Sequence, residues 1–451
     1  MSKRPIAVAG LGRSGLAAVE FLLGQGHPVL ACDQKASGQA IATLQAMQGA
    51  ITLVADALPA DELAQCESIL LSPGIPRQHP ALAKALEAGV QVINDIEWLY
   101  RSTRDASPLY IGITGTNGKS TVTTMVGKMV EESGIPSRTG GNLGQAALSL
   151  WAPEVKIYVL ELSSFQLESI DTFQAGVGTI INLTPDHMDR YATTEDYLAA
   201  KVRLLDKMQG QGKPVLMVDD PLLDQLWRER FPHAIPVSLQ RVVAGGVYLQ
   251  DGILMDHLGE QPQGILPADQ VKAAGWHNKI NAAIAAATAL AAGIERQHVA
   301  QVLATFPGLT HRMEPVRTLD GVVWYNDSKG TNVGAVLQSL QSFDKGVILI
   351  GGGRDKHSDF TPLAPLVRQR CSRVILMGEA ANDMAAALKE TVPIERVNSM
   401  VEAVQTAHAL AKPGDVVLLS PACASFDMFA NFEDRGHQFR QAVEALPEAQ
   451  G

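Results

Sequence analysis

A single lysine stands among small residues in Gly115-Thr116-Asn117-Gly118-Lys119-Ser120-Thr121, and these residue types together suit the phosphates of a nucleoside triphosphate. Lys119 supplies a point charge and Ser120 a hydroxyl for Mg²⁺, while the glycines let backbone N–H groups approach a phosphate with no Cβ in the way. The spacing departs from the usual phosphate loop, because five residues separate Gly112 from Gly118 where G-x-x-x-x-G-K-[ST] has four. A triphosphate also needs metal partners. Nearby strand ends offer Glu161, closing IYVLE, and His187 and Asp189 in NLTPDHMDRY. Mg²⁺ prefers carboxylate and phosphate oxygens, so a histidine is the less usual ligand. Taken singly, Glu161 also suits a surface or capping role, and His187 a hydrogen-bonded loop role.

Three further groups have chemical potential. Gly10-Leu11-Gly12-Arg13-Ser14-Gly15 matches G-x-G-x-x-G, and Asp33 follows at the spacing of a ribose-binding acid, so read alone this is a nicotinamide-binding turn. Asn326-Asp327-Ser328-Lys329, Gly351 to Lys356 and SPACASF each leave an apolar strand, and three such polar turns form one rim of a site. Lys201 lies four residues past Tyr197 on a predicted helix, where a solvated lysine is the plain reading.

These residues need elements to place them. The apolar run Leu109 to Ile113 precedes the lysine loop and a helical pattern, Thr121 to Glu132, follows it, so the loop is a strand-to-helix turn. The first hundred residues alternate short apolar runs (IAVAG, PVLACD, ITLVA, SILLS, VQVI) with helical stretches, the rhythm of an open parallel α/β sheet. Polar residues from Arg101 to Pro108 mark a break. Beyond it come strands at Lys156 to Glu161 and Val177 to Asn182, a helix from Glu195 to Met208, a strand in PVLMVDD, and a hairpin in residues 245–258 around Asp251-Gly252. An alanine-rich helix from Asn278 to Ala292 and another from Glu295 to Phe306 lead to a hinge at Pro307-Gly308. A third α/β unit then runs through VVWYND, GVILIGGG, RVILMG and DVVLLS. The reading is α/β with three domains, over residues 1–97, 98–308 and 309–451.

Composition narrows the function classes. With 451 residues the chain exceeds one core, and 19% charged against 46% hydrophobic residues is a globular balance. A formal net charge of −10 argues against broad nucleic-acid binding, which needs a basic face. No stretch reaches eighteen consecutive apolar residues and the N-terminus leads into a strand-turn pattern, so a cytoplasmic protein without membrane insertion is expected. Cys32, Cys66, Cys371 and Cys423 are far apart, with no C-x-x-C pair, and read as reduced, buried thiols.

GTNGKST, ELSSFQLE, NLTPDHMDRY, HNKINA, HRME, NDSKGTN and SPACASFDMFANFEDRG, in this order over nearly the whole chain, resemble the Mur ligases of peptidoglycan synthesis. In that family GTNGK[ST] is the ATP loop, which accounts for the odd spacing. The resemblance implies a Rossmann-like first domain, a central P-loop-type ATPase domain with a mostly parallel sheet, and a Rossmann-like third domain. It implies an ATP-dependent amide ligase acting through an acyl phosphate, with UDP-N-acetylmuramoyl-L-alanine, D-glutamate and ATP as substrates and two Mg²⁺ ions. Ser14, Asp33, Lys35, Ser72 and Asn142 match contacts to the uridine substrate, which displaces the nicotinamide reading. Gly115 to Thr121, with Asn278, Asn281, Arg312, Asp327 and Lys329, match ATP contacts. Ser120, Glu161, His187 and Lys201 match metal ligands, Lys201 as a carbamate, and Lys119, His187 and Lys201 carry catalytic roles. Thr331, Lys356, Ser425 and Phe432 match the pocket for the incoming amino acid. Two departures stand out: Gly330 replaces an expected alanine in NDSKGTN, and the turn before Lys356 is altered. A monomer that closes at Pro307-Gly308 completes the expectation. A dehydrogenase, a nucleotide-gated regulatory protein and, within the ligases, a folylpolyglutamate synthetase or another Mur ligase are the alternatives; the last two share the ATP loop but not the C-terminal SPACASFDMFANFEDRG.

Overall fold

The structure is a computed structural model and describes residues 3–184, 190–191, 193–273, 275–355 and 358–447. His187, Asp189 and Lys356 lie outside them. The chain forms two compact units, one of residues 1–265 and 283–302, the other of residues 266–282 and 303–451.

The first unit contains two sheets. β1 (Ile6–Ala9), β2 (Val29–Cys32), β3 (Ile51–Val54), β4 (Ser68–Leu71) and β5 (Gln91–Ile93) form a parallel sheet in the order β3-β2-β1-β4-β5. β1, β2 and β4 are buried along their whole length, which is why they read as unbroken apolar runs. The order reverses beside β1, so the carboxyl ends of β1, β2 and β4 form one crevice, the usual ligand edge of such a sheet.

The second sheet holds the lysine loop. β6 (Leu109–Thr114), β7 (Ser137–Gly141), β8 (Ile157–Glu161), β9 (Val177–Ile180), β10 (Lys213–Met217), β11 (Ile235–Ser238), β12 (Val247–Gln250), β13 (Ile253–Asp256) and β14 (Gln263–Pro267) run in the order β14-β13-β12-β11-β10-β9-β6-β8-β7. β6 therefore has β8 on one side and β9 on the other, with Ile113 opposite Glu161 and Thr114 opposite Ile180. The predicted hairpin is β12–β13, antiparallel, with Asp251 and Gly252 both at positive φ (49° and 77°), the backbone of a two-residue turn that follows the strand twist.

The second unit contains β15 (Glu314–Leu319), β16 (Val322–Asn326), β17 (Val347–Gly352), β18 (Cys371–Met377), β19 (Ile394–Arg396) and β20 (Val416–Leu419), in the order β15-β16-β20-β17-β18-β19. Only β15–β16 is antiparallel. Alternate residues bury on opposite faces: Val347 and Leu349 join one core, Ile348 and Ile350 the other. The three polar turns predicted to share a rim leave β16, β17 and β20, which are adjacent strands.

Candidate active site

Gly112 lies within β6, not in the loop, so the loop begins at Gly115, with two residues between it and Gly118, and is shorter than the usual phosphate loop. Gly115 (φ +151°) passes so close to the end of β9 that a Cβ would stand 3.0 Å from the Ile181 Cβ. Gly118 (φ +83°) caps the helix Lys119–Glu132 in a left-handed conformation that favours glycine. The helix thus starts two residues earlier than its periodicity suggests, putting Lys119, Ser120 and Thr121 in its first turn, at the positive end of the helix dipole. The Lys119 ammonium folds back and donates to the carbonyls of Gly115 and Thr116, 2.8 Å each. Asn182 holds the other side: its Oδ1 accepts from the N–H groups of Thr116 (3.0 Å) and Asn117 (2.9 Å), and its Nδ2 donates to the Asn117 carbonyl (3.0 Å). Asn182 was not singled out from sequence, although it opens NLTPDHMDRY.

Glu161 is buried at the end of β8, one strand from the loop. Asn142 donates from Nδ2 to its Oε1 (2.8 Å), while Oε2 is buried with no hydrogen-bond partner among the described residues. An orphaned carboxylate oxygen of this kind suits a hard cation, whose ligands are oxygens. No three His, Cys, Asp or Glu side chains converge among the described residues.

Lys201 corrects the reading of a solvated lysine. It is 1% exposed, on the helix Thr194–Asp206, with Nζ donating to the Gly115 carbonyl (2.9 Å) and lying 4.5 Å from the centre of the Tyr197 ring. Two ammonium groups, those of Lys119 and Lys201, thus meet at one carbonyl oxygen.

At the crevice of the first sheet, Ser14 lies in the first turn of the helix Arg13–Gly24 after β1, Asp33 and Lys35 follow β2, and Ser72 follows β4. Asp33 fixes this turn chemistry by accepting from the N–H of Leu11 (2.6 Å) and of Lys35 (2.8 Å). Arg13 reaches the Asn142 carbonyl (3.2 Å), so the helix after β1 and the residue holding Glu161 are in contact.

In the second unit Asp327 is buried, its Oδ2 accepting from the hydroxyls of Ser339 and Ser420 (2.7 Å each) and its Oδ1 from the Met313 N–H (3.3 Å). Burial pushes its carboxyl from the ordinary 3.8 up to about 6, against those donors and the nearby Arg312 charge. Lys329 lies 3.5 Å over the centre of the Phe432 ring, and its N–H donates to the His311 carbonyl beside Arg312. Thr331 follows in the same turn, and Ser425 is buried after β20. Asn278 and Asn281 are buried and hydrogen-bonded to one another (3.2 Å) on the helix Trp276–Ala291.

Arg435 and Gly436, unremarked within FEDRG, organise this rim. The buried Arg435 guanidinium donates to the Ser328 hydroxyl and carbonyl and to the carbonyls of Cys423 and Ala424, tying the turn after β16 to the turn after β20. A Cβ at position 436 would fall 2.2 Å from His311 Nδ1, so only glycine leaves room for that imidazole.

Models of three domains match along the chain: a Mur ligase MurD-like N-terminal domain over residues 4–94, a Mur ligase middle domain over 113–289, and a Mur ligase glutamate ligase domain over 311–423. A UDP-N-acetylmuramoylalanine--D-glutamate ligase of Hahella chejuensis is 42% identical over 98% of both chains. The chain belongs to the Mur ligase family. A relative of the same name in Geobacter metallireducens is 38% identical over 99% of this Mur ligase and 98% of that protein. Solved structures share the fold at low identity. MurF ligase from Thermotoga maritima, in complex with ADP, has a TM-score of 0.62 at 15% identity, covering 98% of this chain and 96% of that one. The UDP-N-acetylmuramate-alanine ligase MurC of the same organism gives 0.61 at 16%, covering 98% and 99%. The α/β class and the three-domain organisation expected of this Mur ligase are thereby borne out.

Proposed function

We propose that this Mur ligase uses ATP to join D-glutamate to UDP-N-acetylmuramoyl-L-alanine, releasing ADP and phosphate, in the cytoplasmic synthesis of peptidoglycan precursors. The observation that carries the reading is the full-length 42% identity to a ligase of that name. The substrate's alanyl carboxylate attacks the γ-phosphorus of ATP, the bond to the bridging oxygen breaks, and ADP leaves with that electron pair. The amine of D-glutamate, having lost a proton, attacks the carbonyl carbon of the acyl phosphate. Collapse of the tetrahedral adduct breaks the C–O bond to phosphate and leaves the amide.

Both steps bring anions together. Two unit charges 4 Å apart repel by about 4 kcal/mol at an effective dielectric near 20, so charge compensation dominates the task of the site. Lys119 and the positive end of its helix supply positive charge to the phosphates. Mg²⁺, when bound, would add charge neutralisation there; Glu161, with its orphaned oxygen, and Ser120 are the described residues suited to hold it. His187 completes this set by resemblance, as a metal ligand and an aid to deprotonating the amine. Asn182 holds the loop in shape, and Asp327 and Lys329 belong to the nucleotide's surroundings, as do Asn278, Asn281 and Arg312. Thr331, Lys356, Ser425 and Phe432 receive D-glutamate. Ser14, Asp33, Lys35, Ser72 and Asn142 receive the uridine substrate.

Lys201 acts as a carbamate. Its burial and the shared carbonyl with Lys119 support this, because carbamylation exchanges a repelling neighbour of Lys119 for an attracting one and gives a second oxygen ligand for a second ion. The protein is proposed to act as a monomer.

Phosphate release with ATP, Mg²⁺ and UDP-N-acetylmuramoyl-L-alanine, compared across D-glutamate, L-glutamate, L-lysine and L-alanine, tests the reading. Release above background with D-glutamate alone is expected; release that ignores the amino acid rejects it. Lys201→Ala is expected to abolish turnover with the far-UV spectrum unchanged, and retained turnover removes the carbamate.

A further inference from the structure

Arg190 lies three residues past His187, and its guanidinium joins parts of the first unit that the motifs treat separately. Nη1 donates to the Pro73 carbonyl (2.8 Å), Nη2 donates to Glu168 Oε2 (3.1 Å), and the guanidinium carbon sits 3.9 Å from the centre of the Phe165 ring. Pro73 is next to Ser72 in the turn after β4, whereas Phe165 and Glu168 belong to the helix Ser164–Glu168, which begins three residues past Glu161. The other oxygen of Glu168 accepts from the Tyr191 hydroxyl, and the Tyr191 ring stacks on Phe165 (6.0 Å between centres, 19° between planes). On its other side Tyr191 meets the edge of Tyr197 (5.3 Å), whose hydroxyl is 3.1 Å from Thr116 Oγ1 in the phosphate loop. A continuous chain of side chains therefore runs from the turn after β4 to the ATP loop. It borders a cleft of about 1030 Å³ lined by Pro73, Gly74, Phe165 and Arg190.

An exposed ion pair contributes little, but here one planar cation serves a carbonyl, a carboxylate and a ring face at once, with Arg190 and Glu168 side chains only 18% and 21% exposed. We infer that Arg190 is a positioning residue for the uridine substrate: braced by Glu168 and Phe165, it fixes the Ser72-Pro73-Gly74 turn against the helix behind Glu161. The inference rests on the proposed function, in which Ser72 contacts that substrate. Lysine cannot replace it, because a single ammonium on a flexible stem has no planar fork to span both acceptors while covering the ring.

Calorimetric titration of UDP-N-acetylmuramoyl-L-alanine into the intact protein, together with the KM of each substrate, decides the matter. Arg190→Ala is expected to weaken uridine-substrate binding and raise its KM by about tenfold, leaving the KM of ATP and of D-glutamate within about twofold; Arg190→Lys is expected to recover little of the loss. Glu168→Gln shifts binding the same way by a smaller factor, and adding it to Arg190→Ala makes matters no worse. Unchanged binding in Arg190→Lys or Glu168→Gln, an equal rise in all three KM values, or losses that multiply in the double variant overturns the inference alone. Failure of the unaltered protein to bind the uridine substrate overturns the proposed substrate, and the inference with it.

Discussion

Asp327 is pulled two ways. Its hydroxyl and N–H donors favour the carboxylate, but burial outweighs them and raises its pKa from 3.8 to about 6. A group whose folded pKa is raised stabilises the fold through its protonated form. That stabilisation is present below about 4 and is lost as pH rises through about 6, so the second unit holds an ionised Asp327 near neutrality at a cost on the order of 2–3 kcal/mol. In the proposed nucleotide surroundings Asp327 serves as an acceptor, a role the ionised carboxylate fills and the protonated one weakens. Stability and activity should therefore run oppositely across this window: kcat/KM for ATP falls below pH 6 with an acid limb that Asp327→Asn flattens, while the wild-type melting temperature shows no matching loss. An acid limb that survives in Asp327→Asn assigns it elsewhere. At this scale the sequence was legible for residues placed by type and local spacing, such as Lys119 and Ser120 at the start of their helix. It was not legible for residues defined by long-range partners. Lys201 reads as a surface lysine because helical periodicity places it with Tyr197 but says nothing of whether that face is covered, and Asn182 grips a loop 65 residues away.

Elements were legible where they are apolar throughout. The strands that composition did not reveal are β7, β14, β15 and β19, which are the outer strands of their two sheets, and β11. Outer strands have a partner on one side only and tolerate polar and small residues, as SRTGG in β7 shows. β11 is internal but carries Pro236, a residue that argues against a central strand. A joint between elements was equally hidden. The helix Asp95–Ser102 links the first two sheets, and its Glu97, fully buried, accepts from the N–H groups of Asp171, Thr172 and Phe173, from the Thr172 hydroxyl and from Arg101 Nε. Burial alone would raise its pKa, yet these donors together lower it below 4.5. Glutamine would turn an amide NH₂ toward N–H donors and strand some of them, at about 1–3 kcal/mol for each buried group left unpaired. Glu97→Gln should accordingly lower the stability of the first unit by roughly 3 kcal/mol in urea unfolding at pH 7. The gap should narrow as pH falls below 4.5, where the lowered pKa no longer protects the wild type. An unchanged urea midpoint would show that the 171–173 segment does not depend on this carboxylate.

Across the whole molecule the four cysteines divide evenly between the units, Cys32 and Cys66 in one, Cys371 and Cys423 in the other, and all four are free and buried. Burial also pushes the thiols of Cys32, Cys371 and Cys423 up to about 12, so native thiolate is scarce and reaction with a disulfide reagent requires local or unit-wide opening. Each pair thus reports on its own unit. The residues proposed for the uridine substrate, Ser14, Asp33, Lys35, Ser72 and Asn142, all fall in the first unit, with Cys32 adjacent to Asp33 at the end of β2. A ligand that binds only the closed form stabilises it by RT ln(1 + [L]/Kd), about 2.7 kcal/mol at one hundred times Kd, and slows labelling through opening by about a hundredfold. In mild urea, UDP-N-acetylmuramoyl-L-alanine without ATP should therefore slow labelling of Cys32 and Cys66 by that order and leave Cys371 and Cys423 unchanged, as read by mass spectrometry of the labelled peptides. With opening of each unit first shown by ligand-free labelling to occur at its own urea concentration, equal slowing at all four thiols would refute confinement of this substrate to the first unit.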